Sequence, residues 1–77
     1  MVRILLFAGI AERAAARDWT LEETPATVAE LVAMLRSRHP FLASVPFVVA
    51  QNQAIARPES ALCDGDEVAL LPPVSGG

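Results

Sequence analysis

Apolar residues are spread unevenly along this chain, and their spacing changes from segment to segment. Val2 to Ala8 is a near-continuous apolar run closed by Gly9, the pattern of a strand buried on both faces. Ile10 to Arg17 is alanine-rich and carries Glu12, Arg13 and Arg17, a composition that favours helix. So short a helix must dock on a core to persist. Asp18 to Glu22 partly alternates polar and apolar residues, which predicts a half-buried edge strand ended by Thr24-Pro25-Ala26.

The strongest local signal follows. Thr27 with Glu30 three residues later is a capping box, and Val28, Leu31, Val32 and Leu35 stand at the spacing of one buried helical face. Arg36 and Arg38 complement the negative end of the helix dipole, and Pro40 prevents continuation. The spacing predicts a helix over Val28 to Arg38. Phe47 to Ala50 then reads as a short strand, with a tight turn at Asn52 leading into Ala54 to Ala56. Arg57 to Ser60 is a loop, Asp64-Gly65-Asp66 a turn, and Glu67 to Leu71 the last strand. The two most apolar strands lie at opposite ends of the chain. Burying both places them side by side in mid-sheet, with the main helix over one face.

Composition narrows this picture. With 77 residues the chain is one domain, near the lower size at which a single core suffices. Much of its 53% hydrophobic content is alanine, and the larger apolar side chains support a modest core. Cys63 is the lone cysteine, so there is no internal disulfide, and no Cys/His cluster is available for a structural metal. A single cysteine fits a reducing, cytoplasmic setting. Net charge is −3, the six basic residues are scattered arginines, and aromatics are few, so no nucleic-acid footprint is present. With no lysine at all, no side-chain amine can form a Schiff base or accept an acyl group. No apolar run approaches the ~18 residues a membrane helix needs. Met1 to Ala11 superficially resembles a short leader, but reads equally as a core strand, and the chain is expected to be soluble and unprocessed.

Isolated candidates for chemistry are few. Cys63 has no neighbouring His or Lys to activate it and is expected to be a small packed residue. His39 before Pro40 reads as a helix-end residue. Asp64, Asp66 and Glu67 do not have the spacing of a calcium loop and read as turn chemistry. Trp19, Phe7 and Phe47 are expected in the core, although an exposed phenylalanine on the sheet face would suit partner docking. The informative stretch is the last, Leu71-Pro72-Pro73-Val74-Ser75-Gly76-Gly77. Two prolines favour an extended spacer, and Val74 to Gly77 offers no periodic apolar face to bury. A flexible tail, 72–77, is therefore expected to protrude from a folded body of about 1–71. Its six residues reach about 18–20 Å at 3.1–3.3 Å each, deep enough for another protein's active site.

Asp64-Gly65-Asp66-Glu67-Val68-Ala69 followed by that tail resembles the small subunits of molybdopterin synthase, the MoaD-type sulfur carriers of the MoaD/ThiS ubiquitin-like family. Leu6-Phe7-Ala8 with Glu12-Arg13 resembles the family's opening strand and turn, and Asn52 stands at its hairpin asparagine. Gln51 and Ser75 depart from its usual valine and threonine. The resemblance implies an α+β fold, the ubiquitin-like β-grasp, with a mixed sheet whose N- and C-terminal strands are central. It implies that Gly77 is adenylated at the expense of ATP by an E1-like enzyme and thiolated by a donor such as a cysteine desulfurase or rhodanese-type protein. The resulting 1-thioglycine would enter the large subunit of a heterotetrameric synthase and give sulfur to cyclic pyranopterin monophosphate. Pro72, Pro73, Val74, Ser75, Gly76 and Phe7 would contact the partner, with no bound cofactor, metal, nucleic acid or membrane. The same ending suits a carrier for thiamine or cysteine synthesis, a ubiquitin-like modifier that acylates lysines, or an interaction domain without chemistry.

Overall fold

Residues 1–73 are described by the computed structural model, and Val74 to Gly77 lie outside them. The sheet has five strands: β1 (Val2–Leu6), β2 (Asp18–Leu21), β3 (Val48–Gln51), β4 (Ala54–Ile55) and β5 (Glu67–Leu71). Their order is β2-β1-β5-β3-β4, so the first and last strands are neighbours inside the sheet. They run parallel, from Arg3 opposite Glu67 to Leu6 opposite Leu70, and the other pairings are antiparallel. This is the β-grasp arrangement anticipated from the sequence.

Helix α2 (Val28–Arg38) has the predicted bounds because its ends are satisfied locally. The amide of Glu30 donates to Thr27 Oγ1 at 3.2 Å, and Glu30 Oε2 accepts from the amides of Ala26 and Thr27 at 3.0 and 3.2 Å. The amides of Val28 and Ala29 donate to the carbonyls of Ser60 and Pro58. All four otherwise unpaired amides of the helix start, from Thr27 to Glu30, thus find acceptors, and Leu31 opens the regular ladder by donating to the Thr27 carbonyl. Val28, Leu31 and Leu35 face the sheet and meet Val2, Ile4 and Leu6 of β1 and Val68 and Leu70 of β5 in one core. Each such fully buried side chain contributes about 1.5–3 kcal/mol. His39 caps the helix, as expected, and its ring stacks on Trp19 with centroids 3.8 Å apart.

Helix α1 (Ala8–Ala14) begins two residues earlier than predicted and stops earlier. Ala8 takes φ +51° and ends β1 at Leu6, while Ala15, at φ +55°, sends its amide back to Ala11 and Glu12. A short 3₁₀ helix, Pro40–Ser44, had no periodic signature in the sequence. It carries Leu42, which is wholly buried. Strand β1 is not buried on both faces. Val2, Ile4 and Leu6 are buried, Arg3 is exposed and Leu5 is half-buried. The helical layer covers one face of the sheet and leaves the other open, so the apolar run alternates in burial after all. Arg3 marks the open side, where it binds Asp18 of β2 at 2.8 Å. Cys63, expected to be packed, is exposed, because the loop before the Asp64-Gly65-Asp66 turn runs over the surface. No helix among the described residues is long and apolar enough to cross a membrane.

Candidate functional site

Strand β5, central in the sheet, carries the polypeptide from the end that holds the hairpin loop to the opposite end and delivers the tail there. Leu70 is opposite Leu6 and Val49, and Leu71 is opposite Val48. Pro72 and Pro73 follow, exposed and without amide donors to continue the ladder. The root of the tail is therefore gripped on both sides by central strands up to its last step. Val74, Ser75, Gly76 and Gly77, expected to do the partner's work and the chemistry, lie outside the described residues.

Phe7 follows the last paired residue of β1 and retains 44% of its surface exposed. It borders two hollows. On the open sheet face it joins Leu5, Ala50, Ile55, Ala69 and Leu71 around about 350 Å³. On the other side it joins Ile10, Arg13, Val45, Pro46 and Pro72 around about 490 Å³. The structure thus brings together the tail root and the single phenylalanine expected to meet a partner. Ile55, 72% exposed at the far rim, extends the apolar surface, although nothing in the sequence pattern singles it out. The arginine within β1 was the signal that could have found this face, because it fixes which positions point away from the core.

The opposite end of β5 is polar and tightly bonded. Asp66 Oδ2 accepts from Gln51 Nε2 at 2.8 Å and from the Cys63 amide at 2.9 Å, and Oδ1 accepts from Asn52 Nδ2 at 3.1 Å. Asn52 Oδ1 accepts from the Glu67 amide, and the Asn52 amide donates to the Glu67 carbonyl. Gln51 Nε2 also reaches the carbonyl of Ala61. These donors hold the Asp66 carboxyl below the usual carboxylate range, the Cys63 amide foremost, then Asn52 and Gln51. Gln51, the departure from the family pattern, is thus a bridge between hairpin and turn. Asp64 pairs with the amino group of Met1, and Gly65 at φ +92° supplies the left-handed step of the turn. Turn chemistry accounts for these acids.

The ThiS family matches residues 4–77. The chain belongs to the ThiS family. It is 42% identical to the molybdopterin synthase sulfur carrier subunit of Chlamydomonas reinhardtii, covering 99% of this chain and 98% of that relative. Among solved structures, SAMP1 of Haloferax volcanii, a small archaeal modifier protein, superposes with a TM-score of 0.81 at 34% identity, over 99% of this chain and 98% of that one. A complex of subunits 1 and 2 of the molybdopterin-converting factor of Helicobacter pylori contains a chain matching at TM-score 0.71 and 26% identity, over 99% and 97%. The ubiquitin-like β-grasp is the fold that this chain shares with these solved structures. The small-subunit resemblance read from Asp64 to Gly77 therefore holds along the whole chain.

Proposed function

We propose that this protein is the sulfur-carrier subunit of a molybdopterin synthase. The observation that carries the reading is the 42% identity to a sulfur carrier subunit along nearly its entire length. The geometry supports it: a central strand anchors the root of the tail, and exposed apolar surface at Phe7 flanks that root on both sides. A terminal carboxylate has a pKa of about 3.3–3.7, so it is ionised and unreactive at neutral pH. Activation by ATP as an acyl-adenylate on Gly77, made by an E1-like partner, removes that barrier. The terminal sulfur of a persulfide on a desulfurase or rhodanese-type donor then displaces AMP to give an acyl disulfide, and a thiol cleaves its S–S bond, leaving the thiocarboxylate on Gly77 and a disulfide on the donor side. Pro72 and Pro73 limit the ordering cost when the tail enters the large subunit. There the thiocarboxylate gives its sulfur to cyclic pyranopterin monophosphate, and two deliveries make the dithiolene. A pairing with a large subunit is supported by the Helicobacter complex of subunits 1 and 2.

The likeness to a small archaeal modifier favours a second reading, in which the same activated carboxylate acylates amines of target proteins. Intact mass after incubation with the activating and sulfur-donor proteins separates the two. A carrier gains the mass difference between sulfur and oxygen at Gly77, and removing Gly77 abolishes both the gain and cofactor synthesis. An unchanged mass under conditions that thiolate a known carrier, with lysine-linked adducts in cells, would establish the modifier reading instead. A carrier for thiamine or cysteine synthesis is recognised by its partner, since it fails to bind the large synthase subunit.

A further inference from the structure

The β3–β4 hairpin forks. Gln51 pairs with Ala54 and Ala50 with Ile55, and the Ala56 amide still donates to the Val49 carbonyl at 2.8 Å. Beyond Ala56 the chain leaves the sheet for the start of α2, where the carbonyls of Pro58 and Ser60 accept from the amides of Ala29 and Val28. Between the two arms lies a hollow of about 460 Å³. It is lined by Val28 and Val32 of α2, by Phe47 and Val49 on the β3 arm, and by Ala56 and Pro58 on the other. Its size is that of a ligand-binding hollow, about 300–1,000 Å³.

Two features say what it takes. The first is backbone. The Asn52 amide donates to the Glu67 carbonyl of β5, so by alternation Ala50 and Val48 also turn their polar groups to β5, while Gln51, Val49 and Phe47 turn theirs outward. Among the described residues, the amide and carbonyl of Phe47 take no backbone partner, and the Val49 amide does not return the bond from Ala56. Open donors and acceptors at a strand edge are a template for another extended chain. The second feature is charge. Arg36 is the charged side chain that lines the hollow, with its guanidinium 5.2 Å from the Phe47 ring centroid. It makes no ion pair among the described residues, so its charge is available to a carboxylate.

We infer that this fork docks an extended segment of a partner protein, which pairs its backbone with Phe47, buries apolar side chains between α2 and β3, and sets a carboxylate on Arg36. Val48 is opposite Leu71, so the seated segment lies one strand from the tail root, at the end of the sheet from which the tail leaves. A protein that acts on the tail thereby gains a second grip on the body, separate from Phe7 and the open sheet face. The grip uses no residue of the tail itself, and it does not rest on the chemistry proposed for Gly77.

The test adds the capped peptide acetyl-Asp-Val-Thr-Val-Thr-Asp-amide to isotope-labelled full-length protein and follows the backbone amide resonances. Its valines share one face, and its two acids serve either strand direction. Saturable shifts are expected at Val32, Arg36, Phe47 and Val49. Arg36→Glu is expected to weaken binding about tenfold, and a probe with lysines in place of both aspartates is expected to recover it on that variant. Ala33→Leu, at an exposed helical position bordering the hollow, is expected to fill it and weaken binding about tenfold at an unchanged unfolding midpoint. The absence of saturable shifts, shifts centred on Leu5 and Ala69 of the open face, or binding indifferent to both substitutions overturns the inference. Shifts at the fork on concentrating the protein alone would assign it to a second copy of the chain and overturn it likewise. Removal of Gly77 is expected to leave probe binding unchanged, so the carrier reading is decided separately, by the sulfur-for-oxygen mass gain.

Discussion

The two ends of β5 are built on opposite principles. At its start, Asp66 gathers Gln51, Asn52 and the Cys63 amide, and Asn52 returns two bonds to Glu67. At its end, Leu71 makes the last strand pairing, two prolines follow, and Phe7 stands exposed beside them. One end fixes the register of hairpin, turn and strand with directional bonds. The other presents apolar surface and a backbone that no longer pairs. A carrier needs both, because a tail can be aimed into a partner only if its root is held from behind.

The largest effect comes from breaking the strand that both ends share. Leu70 is wholly buried between Leu6 and Val49, so Leu70→Ala is expected to destabilise the fold by about 2–5 kcal/mol. Urea unfolding at unchanged slope measures it, and a loss below about 1 kcal/mol would mean that β5 is not central to the core. Phe7→Ala tests the exposed end alone. It is expected to leave the unfolding midpoint nearly unchanged while weakening binding to the large synthase subunit by about tenfold or more, as measured by calorimetry. If stability falls and binding does not, Phe7 is a core residue and the contrast between the two ends fails.

Asp66→Asn tests the bonded end. Its side-chain amide would face the amides of Cys63, Asn52 or Gln51, donor against donor, so a smaller but measurable loss of stability is expected. The pH dependence has a definite sign. The folded carboxyl titrates below its ordinary value of 3.8, so the unfolded chain binds this proton first as acid is added. The Asp66 contribution is complete above the ordinary value and is lost as pH falls from there through the lower folded value. Acid titration of stability should show this segment in wild type and lack it in Asp66→Asn. Identical profiles would show that the network does not favour the ionised form.

The contrast also explains what was legible in the sequence. Helix α2 could be bounded to the residue because its signals are local: a capping box, four apolar positions at helical spacing, and a proline beyond the end. The neighbouring positions of β1 and β5 followed from burial alone. What escaped depends on residues far apart in the chain. Gln51 reaches Asp66 and Ala61 only once the hairpin lies against the last turn. The open sheet face was hidden in an apolar run in which Arg3 was the one dissenting residue. The Pro40–Ser44 turn is set by the space that Leu42 fills between helix and sheet. The tail is legible from its residue types and from resemblance, and the described residues reach only its proline root.

The smallest expected effect concerns the backbone of the bonded end. Asn52 and Gln53, at φ +49° and +71°, form a two-residue hairpin loop with both residues left-handed, as in a type I′ turn. Asparagine is at ease there and is tied by Asp66 and Glu67. Gln53 is exposed, and a residue with a Cβ in this region costs roughly 1–2 kcal/mol. Glycine relieves that cost but gives back about 0.5–1 kcal/mol through the greater freedom of its unfolded chain. The net for Gln53→Gly is a gain of about 0.5–1 kcal/mol, read as a higher urea midpoint at unchanged slope. Because this loop lies at the end of β5 remote from Pro72, affinity for the large subunit should stay the same. A variant that is more stable yet binds more weakly would show that the hairpin belongs to the docking face and that the two ends are coupled. A variant that is less stable would show that the Gln53 side chain, which borders the open-face hollow, packs there more tightly than its exposure implies.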